Sequence, residues 1–261
     1  MLKRFKALIQ FLGFYPSILL ENIKGLVWYF KDLKSLKKQI ESKNKNEFPF
    51  GKKYPVLNEK FSTSGIASGH YFHQDLLIAQ RIFQNQPVNH VDIASRVDGF
   101  VAHVASFRKI EVFDIRSLPD YIYNVKFIQA DLMHLDQNLI HYTDSISCLH
   151  VIEHFGLGRY NDPIDIDGHL KGLENIYQIL KPGGHFYFST PIGPQRIEFN
   201  AHRVFSVKYL LELFNKKYDI IHFSYVNDKG DLFKNVALTD REIEHNFGCI
   251  FGCGIFEMIK K

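Results

Sequence analysis

Cysteine is scarce in this sequence of 261 residues, with Cys148, Cys249 and Cys253 as its three copies. An odd, small number of cysteines does not suit a disulfide framework, so we expect a reducing, cytoplasmic compartment. Cys249 and Cys253 are spaced C-x-x-x-C within an apolar run that has the composition of a strand. A metal-binding knuckle is one interpretation of this spacing, and burial in the core is the one that free cysteines favour.

Long apolar runs and a strong charge of one sign are absent as well. No segment reaches the roughly 18 uninterrupted apolar residues of a membrane-spanning helix, so the sequence predicts none. A net charge of +4 is too small to indicate a nucleic-acid partner. The charge is uneven, however, because residues 1–38 carry eight Lys or Arg side chains against Glu21 and Asp32.

Within residues 1–38 the basic side chains are mixed with Phe, Leu, Tyr and Trp at roughly helical spacing. This pattern is typical of an amphipathic helix at a membrane surface. The alternative is a helical extension that packs on its own domain or on a second subunit. Residues 39–53 are polar and rich in Lys and Asn, which indicates a linker. We therefore predict a basic helical extension with its linker at 1–53 and one large domain at 54–261.

From residue 88 onward, short apolar segments alternate with amphipathic helical ones. Seven segments have the composition of strands: VNHVDIAS, KIEVFDIR, VKFIQADL, DSISCLHV, HFYFSTP, DIIHFSYV and CIFGCGIFEMIK. This alternation indicates βαβ units, and hence an α/β fold with a mostly parallel, Rossmann-like sheet and an antiparallel C-terminal strand. Parallel sheets bind ligands beyond the carboxyl ends of their strands, so the polar residues that follow each strand are the site candidates.

Five pieces of this pattern resemble class I S-adenosylmethionine-dependent methyltransferases: VDIASRVDGF, VFDIR, FIQADL, CLHVIEH and LKPGGHFYFSTP. They occur in the order and spacing of that superfamily, across residues 86–260. Within it, SRVDGF, EHFGLGRYNDPID and FNAHRVFS are similar to a branch known only as a domain-of-unknown-function family, often associated with bacterial surface-polysaccharide gene clusters. The resemblance implies a seven-stranded methyltransferase sheet, S-adenosylmethionine as cofactor and a transferase activity.

The resemblance also implies a role for each strand end. The turn after the first strand would face the methionine part of the cofactor, Asp114 would accept hydrogen bonds from the ribose hydroxyls, and Asp131 would meet the adenine amino group. Leu132 would lie beneath the adenine ring and His150 at the cofactor's outer edge. The implied cofactor-binding residues are Asp92, Ser95, Arg96, Gly99, Asp114, Ile115, Asp131, Leu132 and His150.

The turn after the first strand departs from the family pattern D-x-G-x-G-x-G. It reads DIASRVD from Asp92, with Gly99 only afterwards. Glycines in such a turn allow the backbone to approach a ligand closely. Arg96 in its middle would either crowd the carboxylate end of the cofactor or form an ion pair with it, and the sequence leaves both open.

The segment HVIEH, from His150 to His154, matches the inverted zinc-protease motif H-x-x-E-H. A metal hydrolase would need both histidines on one face of a helix, with a third ligand nearby. The segment instead follows directly from a buried strand, and Gly156 and Gly158 would interrupt a helix within a turn. We therefore predict no metal ligands and interpret the segment as the lining of a ligand pocket, with structural capping as the alternative.

The loops after the fourth and fifth strands offer side chains for the acceptor. A cation, a phenol and a carboxylate within four residues suit a polar acceptor such as a sugar. The substrate-binding candidates are Arg159, Tyr160, Asp162 and Arg203. A histidine near its unperturbed pKa can act as a general base. The catalytic candidates are His154, His202 and Glu153. For His202, capping of the next helix is the alternative.

Two functions from different classes follow. The first is a cytoplasmic S-adenosylmethionine-dependent O-methyltransferase that acts on a sugar or a sugar-linked intermediate of surface polysaccharide biosynthesis. The second is a non-catalytic methyltransferase-like scaffold or regulatory domain, whose altered turn no longer holds the cofactor. Under either hypothesis, residues 1–38 are the candidate for peripheral membrane contact.

Overall fold

The computed structural model of the chain describes residues 13, 15–43, 47–134 and 136–261. The chain divides into two compact units, Met1–Ile66 and Ala67–Lys261. The basic and aromatic residues at 1–12 and 14, which contribute to the membrane hypothesis, lie outside the described residues. The division at residues 53 and 54 remains a prediction of the domain organisation.

The first unit is built on helix α1, Pro16–Lys43. Proline is well tolerated at the start of a helix, where its missing N–H would have no intrahelical partner. Gly25 is buried, because the backbone of Leu57 occupies the place of a side chain there. The helix ends later than expected, so the start of the predicted linker is helical instead. Across the described part of the chain, no helix combines the length and the apolar character needed to cross a membrane.

The second unit contains the alternating elements that the sequence predicts. Its strands are β1 (His90–Ile93), β2 (Ile110–Asp114), β3 (Val125–Gln129), β4 (Thr143–Leu149), β5 (Leu180–Ile192), β6 (Arg196–Glu198), β7 (His202–Val204), β8 (Tyr218–Val226), β9 (Leu232–Phe233) and β10 (Gly252–Lys260). Its helices are α2 (His70–Asn85), α3 (Ala102–Ala105), α4 (Gly168–Ile179), α5 (Val207–Phe214) and α6 (Asp240–Glu244). Short helical turns occur at Val97–Val101, Gln137–Leu139, Ile152–His154 and Asn246–Gly248.

Among the described residues, eight strands form one sheet in the order β3-β2-β1-β4-β5-β10-β8-β9. The strands from β3 to β5 pair in parallel, whereas β10 is antiparallel to both of its neighbours. The expected mostly parallel, Rossmann-like sheet with an antiparallel C-terminal strand is therefore confirmed. The two-residue strand β9 adds an eighth strand to the seven expected, and β6 and β7 form a separate ribbon in a segment expected to be a loop.

Both faces of the sheet are covered. Along β5, Phe186 and Phe188 pack with residues of α4 and α5, whereas Tyr187 packs with residues of α2 and α3. Successive side chains of a strand point to opposite faces, which is why all three are fully buried. Strand β1 lies between β2 and β4, where the strand order reverses. The carboxyl ends of these strands therefore border the crevice in which such sheets bind ligands.

Candidate functional site

A pocket with about 840 Å³ of empty space, part of it open to solvent, lies at the carboxyl ends of β1, β2 and β4. The predicted site residues that line it are Ser95, Arg96, Asp114, Ile115, Asp131, Leu132, His150, His154, Arg159, Tyr160 and Asp162. The predicted residues outside its lining are Asp92, Gly99, Glu153, His202 and Arg203. Parallel strands end at one edge of the sheet, and this is why side chains distant in sequence meet here.

Asp92 is fully buried at the end of β1 and organises the turn that follows. Its carboxylate accepts hydrogen bonds from the Ser95 N–H at 2.8 Å, the Ser95 hydroxyl at 2.9 Å and the Ser147 hydroxyl at 2.6 Å. Burial raises the pKa of Asp92 to about 7, and these donors oppose the rise only in part. Asp92 is therefore engaged within the protein, and Ala94, Ser95 and Arg96 are the residues of this turn that line the pocket.

Arg96 stands in the turn after β1, where the sequence leaves open whether it crowds the cofactor's carboxylate or pairs with it. Its guanidinium forms a bidentate pair with Asp98, with N···O distances of 2.9 and 2.6 Å, and its side chain is 73% exposed. The charge is therefore held at the pocket rim and does not fill the turn. Gly99 lies beside a neighbouring cavity, where a Cβ atom would stand 3.3 Å from the Asp75 carboxylate.

Ala94 stands at the first glycine position of the family turn and has a φ of 53°. The left-handed conformation costs a residue with a Cβ atom roughly 1–2 kcal/mol. Glycine removes this strain but adds freedom to the unfolded chain, so we expect Ala94→Gly to raise the free energy of unfolding by roughly 0.5–1 kcal/mol in urea titrations.

The matched control for this prediction is Ala102→Gly, at an exposed helical residue with a φ of −62°. Glycine lowers helix stability there, so the free energy of unfolding is expected to fall by up to about 1 kcal/mol. A loss of stability in both variants would show that the turn is not strained at Ala94.

Asp114 ends β2 and its carboxylate is already engaged by a residue that the sequence reasoning missed. The Arg116 Nε donates to its two oxygens at 3.0 and 3.1 Å, and the Arg116 backbone N–H donates to it at 2.9 Å. The Arg116 guanidinium also lies over the Tyr160 ring, 4.8 Å from its centroid, with Arg159 at 5.3 Å. The acid-x-Arg spacing after a strand was the available signal, because an aspartate side chain often accepts from the backbone N–H two residues further on.

Asp131 and Leu132, which follow β3, line the pocket at its edge. Asp131 accepts a hydrogen bond from the Met133 N–H at 2.9 Å and pairs with the Nδ1 of His134 at 2.7 Å. Leu132 is 5% exposed and forms part of the apolar wall together with Phe113. One carboxylate and one apolar surface therefore adjoin each other at this end of the pocket.

His150 and Glu153 form a buried pair after β4. The Nδ1 of His150 lies 2.8 Å from the Glu153 carboxylate, which also lies 3.3 Å from the Thr190 hydroxyl. Burial by itself would raise the pKa of Glu153, but the adjacent His150 outweighs it and lowers the pKa. Glu153 is 1% exposed and does not line the pocket, so its carboxylate meets groups of the protein and not a ligand bound there.

The HVIEH segment does not form the helix of a zinc protease. His150 has a left-handed backbone, with a φ of 55°, and only Ile152–His154 make a helical turn. His154 lines the pocket, and its Nδ1 lies 2.7 Å from the carbonyl oxygen of Ala201. Since a carbonyl oxygen only accepts, the Nδ1 carries the proton and the Nε2 keeps its lone pair. Burial lowers the pKa of His154, so the ring is neutral at pH 7.

Two predicted residues lie away from the pocket, on the ribbon. His202 on β7 has its Nε2 3.1 Å from the Glu198 carboxylate, and its ring contacts Phe251. Arg203 is 5% exposed and donates to backbone carbonyls, that of Phe155 among them at 2.6 Å. Arg203 was predicted to contact the substrate, but its donors are used within the protein. It instead stabilises the loop after β4 from a buried position.

The loop after β4 is held by its own polar groups. The Asp162 carboxylate accepts from the N–H groups of Gly156 at 2.8 Å, Gly158 at 3.2 Å and Tyr160 at 3.1 Å. Arg159 donates to the carbonyl of Ala201 at 2.9 Å. Asp162 therefore fixes the loop that presents Arg159 and Tyr160 to the pocket.

Comparisons with known proteins bear on the fold. A family model described as "Caenorhabditis protein of unknown function, DUF268" matches residues 109–247. One similar solved structure is that of a Burkholderia thailandensis 1,6-didemethyltoxoflavin-N1-methyltransferase with 1,6-didemethyltoxoflavin and S-adenosylhomocysteine bound. The two sequences are 15% identical, the match covers 72% of this chain and 78% of that chain, and the TM-score is 0.52. The (4+2)-cyclase SpnF is 13% identical, with coverage of 72% and 80% and a TM-score of 0.52. No curated protein matches. At such identities the likeness is one of fold.

Proposed function

Because the chain belongs to the DUF268 family and its sheet has the methyltransferase fold, we propose that it is an S-adenosylmethionine-dependent methyltransferase. The observation that carries this proposal is the pocket at the switch point of the sheet, which joins the carboxylates of Asp114 and Asp131 with an apolar wall and His154. Calorimetric titration with S-adenosylmethionine and S-adenosylhomocysteine tests it. Binding of both supports the proposal, and the absence of binding by a folded chain contradicts it.

The residues of the pocket fit the cofactor by their chemistry. Asp114 and Asp131 offer acceptors for ribose hydroxyls and an adenine amino group, and Phe113 and Leu132 offer apolar surface to a ring. Ser95 offers a hydroxyl beside the turn after β1, next to the methionine end. S-adenosylmethionine supplies a methyl group that its sulfonium already activates. The protein's remaining task is to position the acceptor and remove its proton.

His154 is the residue of this site best suited to remove that proton. Its Nδ1 is held by a backbone carbonyl, which fixes the ring, and its Nε2 keeps the lone pair of a general base. The Tyr160 ring stands edge-on to it, with centroids 5.5 Å apart. Glu153 holds the neighbouring His150 and lies 3.9 Å from the Nε2 of His154, so its charge favours the protonated ring that forms during transfer.

A polar, hydroxyl-bearing acceptor suits this end of the pocket, and we assign O-methylation of a sugar or sugar-linked intermediate of surface polysaccharide biosynthesis. Arg159 and Tyr160 supply a cation and a ring for such an acceptor, and Asp162, whose carboxylate holds their loop, lines the same end of the pocket. A screen of nucleotide sugars and polysaccharide fragments for methyl transfer tests the assignment. Transfer to an amine or a carbon acid, but to no sugar, would contradict it while leaving the methyltransferase proposal intact.

The non-catalytic function is the second candidate, because the turn after β1 carries Ala94 and Arg96 in place of family glycines. Its prediction is a folded chain that binds neither S-adenosylmethionine nor S-adenosylhomocysteine. The same calorimetric titration therefore distinguishes the two functions.

The surface of helix α1 supports a proposal of peripheral membrane contact through residues 1–38. Its large apolar side chains are exposed, with Leu20 at 59%, Val27 at 73% and Phe30 at 55%. The same helix also carries five basic side chains: Lys24, Lys31, Lys34, Lys37 and Lys38. Exposed apolar groups beside cations are the pattern that binds anionic lipid surfaces.

We expect the full chain to co-sediment with phosphatidylserine vesicles and to be released by salt, because salt screens exposed charges. Deletion of residues 1–38 should reduce the bound fraction to that seen with neutral vesicles. The matched variant carries Lys24→Glu, Lys31→Glu and Lys34→Glu, and keeps the apolar side chains. Co-sedimentation that is indifferent to the deletion, to the charge reversal and to salt would contradict membrane contact.

A further inference from the structure

Three potential metal ligands from distant parts of the chain meet at one side of His150. His70 begins α2, His150 follows β4, and Cys253 lies in β10. One ligand atom of each residue lies within 4.8 Å of the other two. The rings of His70 and His150 are stacked, with centroids 5.2 Å apart and planes 10° from parallel. We call these three residues the His-His-Cys cluster.

The cluster contains a buried polar atom without a hydrogen-bond partner. The His150 side chain is 5% exposed, and within the described part of the chain its Nε2 has no hydrogen-bond partner. Cys253 is fully buried, with its Sγ 3.8 Å from the Gln74 side-chain oxygen, a long distance even for sulfur. Buried polar atoms are nearly always hydrogen-bonded, so this arrangement points to a ligand that the Nε2 would bind.

The other nitrogen of His150 has the partner that metal-binding histidines use. Its Nδ1 is 2.8 Å from the Glu153 carboxylate, and since a carboxylate only accepts, the Nδ1 carries the proton. The Nε2 is therefore the nitrogen left for the cluster, and a metal bound there would take the place of any proton that it carries. A carboxylate behind a ligating histidine fixes the tautomer and the ring orientation in this way.

We propose that His70, His150 and Cys253 bind one Zn²⁺ ion. Two imidazoles and a thiolate form a donor set that zinc prefers over calcium or magnesium. Three protein ligands leave a fourth position for water or a substrate atom, as in catalytic zinc sites. His150 also lines the pocket at the switch point, so the site adjoins the space where the acceptor is proposed to bind.

This ligand set differs from the one that the sequence motif suggested. Of the two histidines in HVIEH, only His150 belongs to it, and Glu153 serves as the outer partner of a ligand. The other two ligands are distant in sequence: His70 lies 80 positions before His150, and Cys253 lies about 100 positions after it. No local motif indicates such a set. The proposal holds whether or not the chain binds S-adenosylmethionine.

The experiment is an optical titration of the full chain, purified without a histidine tag and stripped of metal, with Co²⁺ as a spectroscopic substitute for Zn²⁺. We expect one equivalent to bind with a thiolate-to-cobalt charge-transfer band in the near ultraviolet, and one equivalent of Zn²⁺ to displace it. Cys253→Ser should abolish the band. His70→Ala should weaken binding at least tenfold, and Glu153→Gln by about 10–100-fold, the range for outer partners.

Cys249→Ser is the matched control, because Cys249 is also buried in the same segment but lies outside the cluster. It should keep both the band and the affinity. Circular dichroism of each variant establishes that it is folded. A folded wild-type chain that binds neither ion at equimolar concentration would overturn the proposal. A band that survives Cys253→Ser would overturn it as well.

Discussion

His154→Ala is expected to lower the turnover of methyl transfer by about 10²–10⁴-fold, the contribution of a positioned general base. The ring lines the pocket, its Nδ1 is held by the Ala201 carbonyl and its Nε2 is left with a lone pair. Cofactor affinity should stay close to that of the wild type, because the strand-end carboxylates that would bind the cofactor are unchanged. The measurement is kcat with an acceptor found by the sugar screen, alongside calorimetry with S-adenosylhomocysteine.

The pH dependence offers a second measurement of the same assignment. Burial lowers the pKa of His154 below 6.5, so the neutral, basic ring persists as the pH falls through 6.5. Turnover limited by this base should therefore be retained at pH 6.5 and lost only at lower pH. Loss of turnover with a midpoint above pH 6.5 would contradict the assignment.

His202→Ala is the variant to compare with His154→Ala, because the sequence analysis predicts His202 as the alternative base. The ring pairs with Glu198 on the ribbon and does not line the pocket, so we expect a much smaller effect on kcat. A large loss in His202→Ala, with near-normal turnover in His154→Ala, would move the base to the ribbon. Wild-type rates in both variants would mean that neither histidine removes the proton.

Asp114→Ala is expected to weaken binding of S-adenosylmethionine by about 1–3 kcal/mol, or roughly 5- to 150-fold in Kd. The carboxylate ends β2 at the pocket, its side chain is 7% exposed and it can accept from two neighbouring hydroxyls. The Arg116 side chain donates to both oxygens of this carboxylate. Binding of the ribose therefore requires Arg116 to share or release these oxygens.

Calorimetry on Asp114→Ala and on a control, Asp120→Ala, measures this effect. Asp120 is an exposed acid in the loop after β2 and does not line the pocket, so its variant should bind like the wild type. Equal affinity in all three proteins would remove the ribose assignment from Asp114.

The order of the elements and the strand ends follows from the sequence, because both depend on neighbouring residues. Alternation of apolar segments and amphipathic helices identifies the βα units, and a polar residue marks the end of each parallel strand. Asp114, Asp131 and His154 could be named on this basis. Parallel strands bring their carboxyl ends to one edge, so strand-end residues line a common pocket once the fold class is known.

Only the tertiary structure decides which way each side chain points and what it meets. Arg203 and Asp92 look like ligand contacts in the sequence, but packing buries both and directs them to groups of the protein itself. Arg116 and Asp114 meet because the chain bends directly after β2, at Ile115 and Arg116. The His-His-Cys cluster exists because β10 inserts between β5 and β8, which carries Cys253 to the side of His150. Strand order is set by long-range packing, and no local pattern of residues encodes it.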